Sequence, residues 1–229
     1  MYLALDFPDY NKTKNFIERN DLQGVPVKVG MELFYKEGSK IINYLKEQNH
    51  SIFLDLKLFD IPTTVERAMH NLADFEVDFV NVHALGGSEM IKRAKSALQS
   101  KSSSNHETKL LAVTILTSMD NQIIKDDLGL SLTVNEEVLR LAKLSESSGA
   151  DGVVCSVHEA AMIKELCDKN FKTMTPGIRL TKSQHDDQKR VATPKFAKEN
   201  GSDHIVIGRS ITQADNPKSA YDIALGEWS

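Results

Sequence analysis

The feature that most constrains this chain is an alternation. Eight short β-branched or aliphatic runs recur along it, separated by amphipathic stretches. The runs are "YLALD" (2–6), "VPVKVG" (25–30), "SIFLDLKL" (51–58), "FVNVHA" (79–84), "LLAVTIL" (110–116), "GVVCS" (152–156), "KTMTPGI" (172–178) and "HIVIGR" (204–209). The stretches between them mostly carry helical spacing. Ile41, Ile42 and Leu45 share one face of "SKIINYLKEQ", and Val138, Leu141, Ala142 and Leu144 form a stripe in the segment ending at Gly149. Asp9 is expected to cap the first helix, Ser88 the fourth, and Gly149 to close the helix before it. Strands alternating with helices predict a parallel sheet closed into a single-domain (β/α)8 TIM barrel over residues 1–229. An open doubly wound sheet uses the same alternation, but its G-x-G-x-x-G fingerprint does not follow the first run. The Ser-rich "QSKSSSNHETK" (99–109) reads as a surface loop rather than a domain boundary.

Charge narrows the functions open to such a chain. A net charge of −4 argues against broad nucleic-acid or membrane-surface binding, so an anionic ligand would need a few placed cations. No run approaches the length of a membrane span, and the first residues lack the pattern of a signal peptide. Cys155 and Cys167 form neither a C-x-x-C pair nor a zinc spacing. They are expected to be reduced structural thiols of a cytoplasmic protein.

"LDLKLFDIP" (54–62) places three charges in an oily run. Side chains alternate along a strand, so Ile52, Leu54, Leu56 and Leu58 fall on one side and Phe53, Asp55 and Lys57 on the other. With the leucines toward the helices, Asp55 and Lys57 point to the barrel axis at its C-terminal end. Asp60 follows on the loop, and Pro62 suits the first turn of the next helix. Asp6, Lys28 and His83 also sit at or near strand ends, and in a barrel these converge on the mouth where the chemistry lies. Taken singly, each is as well read as a solvated charge or a salt bridge.

The last two strands carry a different signal. "TPGIR" (175–179) and "VIGRSIT" (206–212) each join a glycine to an arginine, the second before a helical turn expected at Ser210. Glycine admits close approach of an anion, and arginine offers a planar fork of donors. The loops after strands 7 and 8 are the usual phosphate site of this fold. The polar segment 180–194 reads equally as a lid bearing Gln188 or as a connector.

"LALD", "KVG", "DLKLFDIPTTV", "VHALGG", "TPGIR", "DDQKR" and "VIGRSIT", spanning positions 3 to 212, together resemble the orotidine 5′-monophosphate decarboxylase family. D-x-K-x-x-D alone marks a wider superfamily, whereas the full set is specific. The resemblance implies a homodimeric (β/α)8 barrel that converts orotidine 5′-monophosphate to UMP with neither metal nor organic cofactor. By motif, it gives Lys57 the protonation of C6 and sets Asp55 opposite the departing carboxylate. Lys28 and Asp60 complete the charged array, Asp60 entering the neighbouring subunit's site. Asp6 takes the ribose. Ile61, Thr64 and Thr117 are further substrate contacts, and Pro176 is an apolar wall. Arg179, Gln188, Gly208 and Arg209 hold the phosphate. The family often has asparagine where Thr63 sits, and Thr63 receives no role. Two other readings remain open: a magnesium-dependent sugar-phosphate decarboxylase or aldolase of the same superfamily, and a non-catalytic nucleotide-phosphate-binding barrel.

Overall fold

Each apolar run becomes a strand because its alternate residues find two different apolar surroundings. The structure, a computed structural model, describes residues 1–102, 106–180 and 192–229. Its strands are β1 (Tyr2–Ala4), β2 (Val27–Gly30), β3 (Ile52–Leu58), β4 (Phe79–His83), β5 (Lys109–Val113), β6 (Gly152–Val154), β7 (Lys172–Ile178) and β8 (His204–Ile207). They pair in parallel in chain order, and β8 returns to β1 to close the barrel. All eight expected runs are strands. Several leave the ladder earlier than the run suggests: β1 ends at Ala4, β5 at Val113 and β6 at Val154. Asp6 therefore lies beyond its strand, in the chain that turns over the mouth.

The two faces of the sheet form two cores. Leu3, Val27, Ile52, Leu54, Val80 and Leu110 point outward and pack with the helices. Tyr2, Phe53, Phe79, Leu111, Met174 and Val206 point inward and fill the barrel. Tyr2, Phe53 and Phe79 meet edge-to-face with centroids 6.0 to 6.4 Å apart. This geometry suits aromatic quadrupoles and plugs the N-terminal end. Above this plug the interior opens toward the C-terminal ends of the strands.

The helices follow their caps. The Asp9 carboxylate accepts the Lys12 N–H at 2.8 Å and starts α1 (Tyr10–Arg19) as expected. After β2 come α2 (Met31–Glu37) and α3 (Ser39–Glu47), the latter burying Ile41, Ile42 and Leu45. Pro62 opens α4 (Pro62–Ala73). The expectation for Ser88 fails. A 3-10 turn over Ala84–Gly86 leads into α5 (Gly87–Ser100), so Ser88 falls within the first turn and Gly86 stands at the cap without a side-chain bond. A short α6 (Asn121–Asp126) precedes α7 (Val134–Ser147), which opens on a Thr133–Glu136 capping box. Gly149 lies one residue past its cap at φ 89°, the left-handed position that favours glycine. Then follow α8 (Val157–Leu166), α9 (Pro194–Glu199), α10 (Arg209–Thr212) and α11 (Pro217–Trp228). No described helix is long and apolar enough to cross a membrane.

One device repeats at the closed end. The aspartate just before each of three even-numbered strands accepts a backbone N–H at the start of the preceding strand. Asp78 takes Ile52 at 2.6 Å, Asp151 takes Leu110 at 2.7 Å and Asp203 takes Thr173 at 2.8 Å. Asp151 also accepts two bonds from the buried Lys95 ammonium, at 2.7 and 2.9 Å. These bonds fix strand register away from the mouth. Asp151→Ala is expected to cost about 3 kcal/mol, since it leaves the buried Lys95 ammonium with the longer Glu107 contact at 3.4 Å and removes the acceptor of the Leu110 N–H. Asp151→Asn, which keeps an acceptor for Leu110, should cost less. Urea unfolding midpoints at unchanged slope measure both.

Candidate functional site

The mouth encloses a cavity of about 630 Å³. Asp6, Lys28, Asp55 and Lys57 line one side; Thr117, Pro176, Arg179, Gly208 and Arg209 line the other. Nine of the residues singled out from sequence therefore share one cavity. Closure brings them together, because they stand toward or just beyond the C-terminal ends of six strands, β1, β2, β3, β5, β7 and β8.

Asp55 is the hub. Its carboxylate is 2.6 Å from the Lys57 Nζ and 3.5 Å from the Lys28 Nζ. Lys28 also donates to Asp6 at 3.0 Å. The charges thus alternate in space as Asp6, Lys28, Asp55, Lys57. Asp55 is 8% exposed, a burial that would push its carboxyl up; the Lys28 and Lys57 ammoniums outweigh this, aided by hydrogen bonds from Lys57 and Asn81, and hold it below the usual carboxylate range. Lys28 is the mirror case. Burial lowers its affinity for a proton, but Asp55 and Asp6 together raise it above the ordinary lysine value. Gly30 makes room for this ammonium, since a Cβ there would lie 3.2 Å from the Lys28 Nζ.

Lys57 has left-handed backbone, φ 51°, and the β3–β4 register shifts between Leu54 and Leu58. Simple alternation predicts its direction without revealing this bulge. Asn81 on β4 fills the gap: its amide donates to Asp55 at 2.7 Å, and its carbonyl oxygen accepts the Lys57 N–H at 2.7 Å. Sequence reasoning missed Asn81. The available signal was a lone polar residue between valines on an inward-facing strand position.

The opposite wall carries the arginines. Arg179 is only 8% exposed, and its guanidinium donates to the Ile178 carbonyl at 2.9 Å. Gly177, at φ 83°, sits in the β7–β8 register shift beside it. Arg209 is exposed and itself begins α10, one residue earlier than expected. A Cβ on Gly208 would come 3.4 Å from that of Ala4.

Other expected residues lie elsewhere. Asp60 is exposed, and its carboxylate accepts the Ile61 N–H at 2.6 Å. Ile61 is 69% exposed, and Thr64 is exposed on the first turn of α4. None of the three lines the cavity of its own chain. His83 does not line it either. Its ring lies 5.8 Å from that of Phe59, and burial followed by the Lys57 charge lowers its pKa. Gln188 and most of the expected lid fall outside the described residues. Those residues contain no group of three or more His, Cys, Asp or Glu side chains able to hold a metal ion.

Fold and site together define a (β/α)8 barrel with a mouth lined by lysine, aspartate and arginine side chains. More narrowly, the chain belongs to the orotidine 5′-phosphate decarboxylase / HUMPS family, whose family model matches residues 1–223. It is 50% identical over 229 residues to the orotidine 5′-phosphate decarboxylases of Bacillus cytotoxicus and Bacillus mycoides, covering 100% of this chain and 96% of each relative. Among solved structures, the orotidine 5′-phosphate decarboxylase of Lactobacillus acidophilus superposes with a TM-score of 0.89 at 43% identity, covering 100% of this chain and 98% of the other. The Pyrococcus horikoshii enzyme, at 23% identity and a TM-score of 0.75 over 99% of this chain and 98% of that one, shares the fold.

The lowered Asp55 value has a thermodynamic consequence. Its stabilising contribution is complete above the unfolded value near 3.9 and is lost as pH falls through the lower folded value. Wild-type stability, followed by urea midpoints, is expected to fall more steeply below about pH 4 than that of Asp55→Asn.

Proposed function

We propose that this chain decarboxylates orotidine 5′-monophosphate to UMP in pyrimidine biosynthesis. The observation that carries the reading is the Lys57 ammonium, 2.6 Å from Asp55, on the wall of the cavity that Arg179 and Arg209 also line. Family membership and relatives at 50% identity that bear this enzyme's name supply the substrate.

The chemistry suits the residues. The bond from C6 to the carboxylate breaks heterolytically, and its electron pair stays on C6 in an sp² orbital outside the ring π system. An ammonium held at C6 stabilises that pair as it develops and then gives it a proton. Lys57 does this. It is left as a neutral amine and regains a proton from solvent. Asp55 orients it and faces the substrate carboxylate. At ~4 Å and an effective dielectric near 20, that repulsion is about 4 kcal/mol; Lys28 and Lys57 offset part of it, and departure of CO₂ relieves it. Attraction to Lys57 in the transition state is the larger contributor to rate.

Arg179, Arg209 and Gly208 grip the phosphate, with Gln188 joining them. Asp6 binds the ribose, and Thr117 and Pro176 border the pyrimidine. The protein acts as a homodimer, in which Asp60, Ile61 and Thr64 reach the substrate; Asp60 serves the partner's site, which accords with its lying outside its own cavity. The chain acts as one catalytic domain and needs no metal or organic cofactor. Lys28 lies between Asp6 and Asp55, and a lysine is a poor partner for magnesium, which weighs against the sugar-phosphate alternative. Cys155 and Cys167 are buried thiols outside any disulfide, in keeping with a cytoplasmic protein.

Purified protein given orotidine 5′-monophosphate with EDTA should consume its ultraviolet absorbance and release CO₂. Lys57→Ala should lower kcat more than about 10³-fold while UMP still binds. Arg209→Ala should lower kcat/KM about 10- to 100-fold, mainly through KM. Binding of UMP without CO₂ release would instead support a non-catalytic barrel. Mixing Lys57→Ala with Asp60→Ala protein should restore turnover, because one site of each mixed dimer then carries neither change. Failure to restore it would refute the shared site.

A further inference from the structure

We propose that Asn81 is a positioning residue for catalysis, acting through both Asp55 and Lys57. The inference rests on the decarboxylase reading above. Asn81 is 1% exposed on the inward side of β4, one layer above Phe79. Its two polar ends are committed. The carboxylate of Asp55 can only accept and the Lys57 N–H can only donate, so the amide has one possible orientation: NH₂ toward Asp55 and oxygen toward Lys57, both at 2.7 Å.

The bulge explains why a side chain is needed there. Leu54 pairs with Val80 and Leu58 with Val82, so β3 uses four steps where β4 uses two. The Lys57 N–H falls in the excess, and the Asn81 side chain takes the place of a ladder carbonyl. That bond secures the left-handed backbone of Lys57, φ 51°, from which its side chain returns over Asp55 at 2.6 Å. A single amide therefore sets the direction of the ammonium and one oxygen of its carboxylate partner. Its loss should affect the chemical step more than substrate affinity, because the phosphate-gripping residues stand on other strands.

Two variants test this. Asn81→Leu is similar in volume and removes both bonds. It is expected to lower kcat about 100-fold, the scale of a small misplacement of a reacting group, with KM within about threefold. Asn81→Asp keeps the acceptor for Lys57 but turns a donor toward Asp55 into a second carboxylate. A proton shared by the two carboxylates restores the donor. The kcat/KM deficit of Asn81→Asp relative to wild type should therefore shrink as pH falls from about 8 to about 5.5. Asp55 is faced by Lys28 from β2, Lys57 from β3 and Asn81 from β4, while Asp6 pairs with Lys28 and His83 feels Lys57. The ratio to wild type removes titrations common to both proteins.

Cooperative melting and UMP binding report whether each variant is folded, and Asn81→Asp carries the test if Asn81→Leu does not fold. A kcat within threefold of wild type at about pH 8 in a folded variant, or a pH-independent Asn81→Asp deficit, would overturn the assignment. Wild-type turnover in the same assay separates the two claims: a wild type that releases no CO₂ overturns the reaction assignment, whereas an active wild type beside unaffected variants overturns only the role of Asn81.

Discussion

The buried carboxylate of Asp55 is the interaction on which the mouth depends. An ionised carboxylate removed from water is costly unless opposite charge and hydrogen bonds replace its hydration. Here Lys28, Lys57 and Asn81 supply that replacement from three neighbouring strands. Each partner is limited in turn by Asp55. Lys28 is drawn between two carboxylates, Lys57 is held over one, and Asn81 is committed at both ends. Moving any one member removes a charge or hydrogen-bond partner from another, so the group behaves as a unit.

That unit stands on a scaffold whose rigidity is concentrated at the other end. The aromatic plug of Tyr2, Phe53 and Phe79 fills the interior, and Asp78, Asp151 and Asp203 pin strand starts. With register set there, the strand ends can depart from regular pairing without loss of the barrel. Both register shifts, between Leu54 and Leu58 in β3 and between Thr175 and Ile178 in β7, lie toward the mouth. One re-aims Lys57; the other precedes Arg179. Irregular backbone thus coincides with the two groups proposed to act on opposite ends of the substrate.

The arrangement also separates labour across the cavity. The charged array of Asp6, Lys28, Asp55 and Lys57, from β1 to β3, is internally balanced, whereas the wall from β7 and β8 presents arginines. Under the proposed function, binding energy from the phosphate is available to hold a carboxylate-bearing ring against a site that already contains carboxylates. The exposed Asp60 and Ile61 do not line this cavity, which accords with the second subunit that the family resemblance brings into the proposal.

The sequence by itself determined the eight strands, their parallel closure, the inward direction of Asp55 and Lys57, and the glycine–arginine pairs. Periodicity and local spacing carry that information, because a residue's side of a strand depends on its near neighbours. The cap at Asp9 was equally local; the cap expected at Ser88 was not, because a preceding 3-10 turn shifted the helix start. Only tertiary structure decided the bulge at Lys57, the room Gly30 leaves for Lys28, the role of Asn81 and the exclusion of Asp60 from its own cavity. The bulge and the role of Asn81 depend on pairing register and on contacts 24 and 26 positions apart, and the others on where the folded backbone aims each side chain, which no local pattern in the chain encodes.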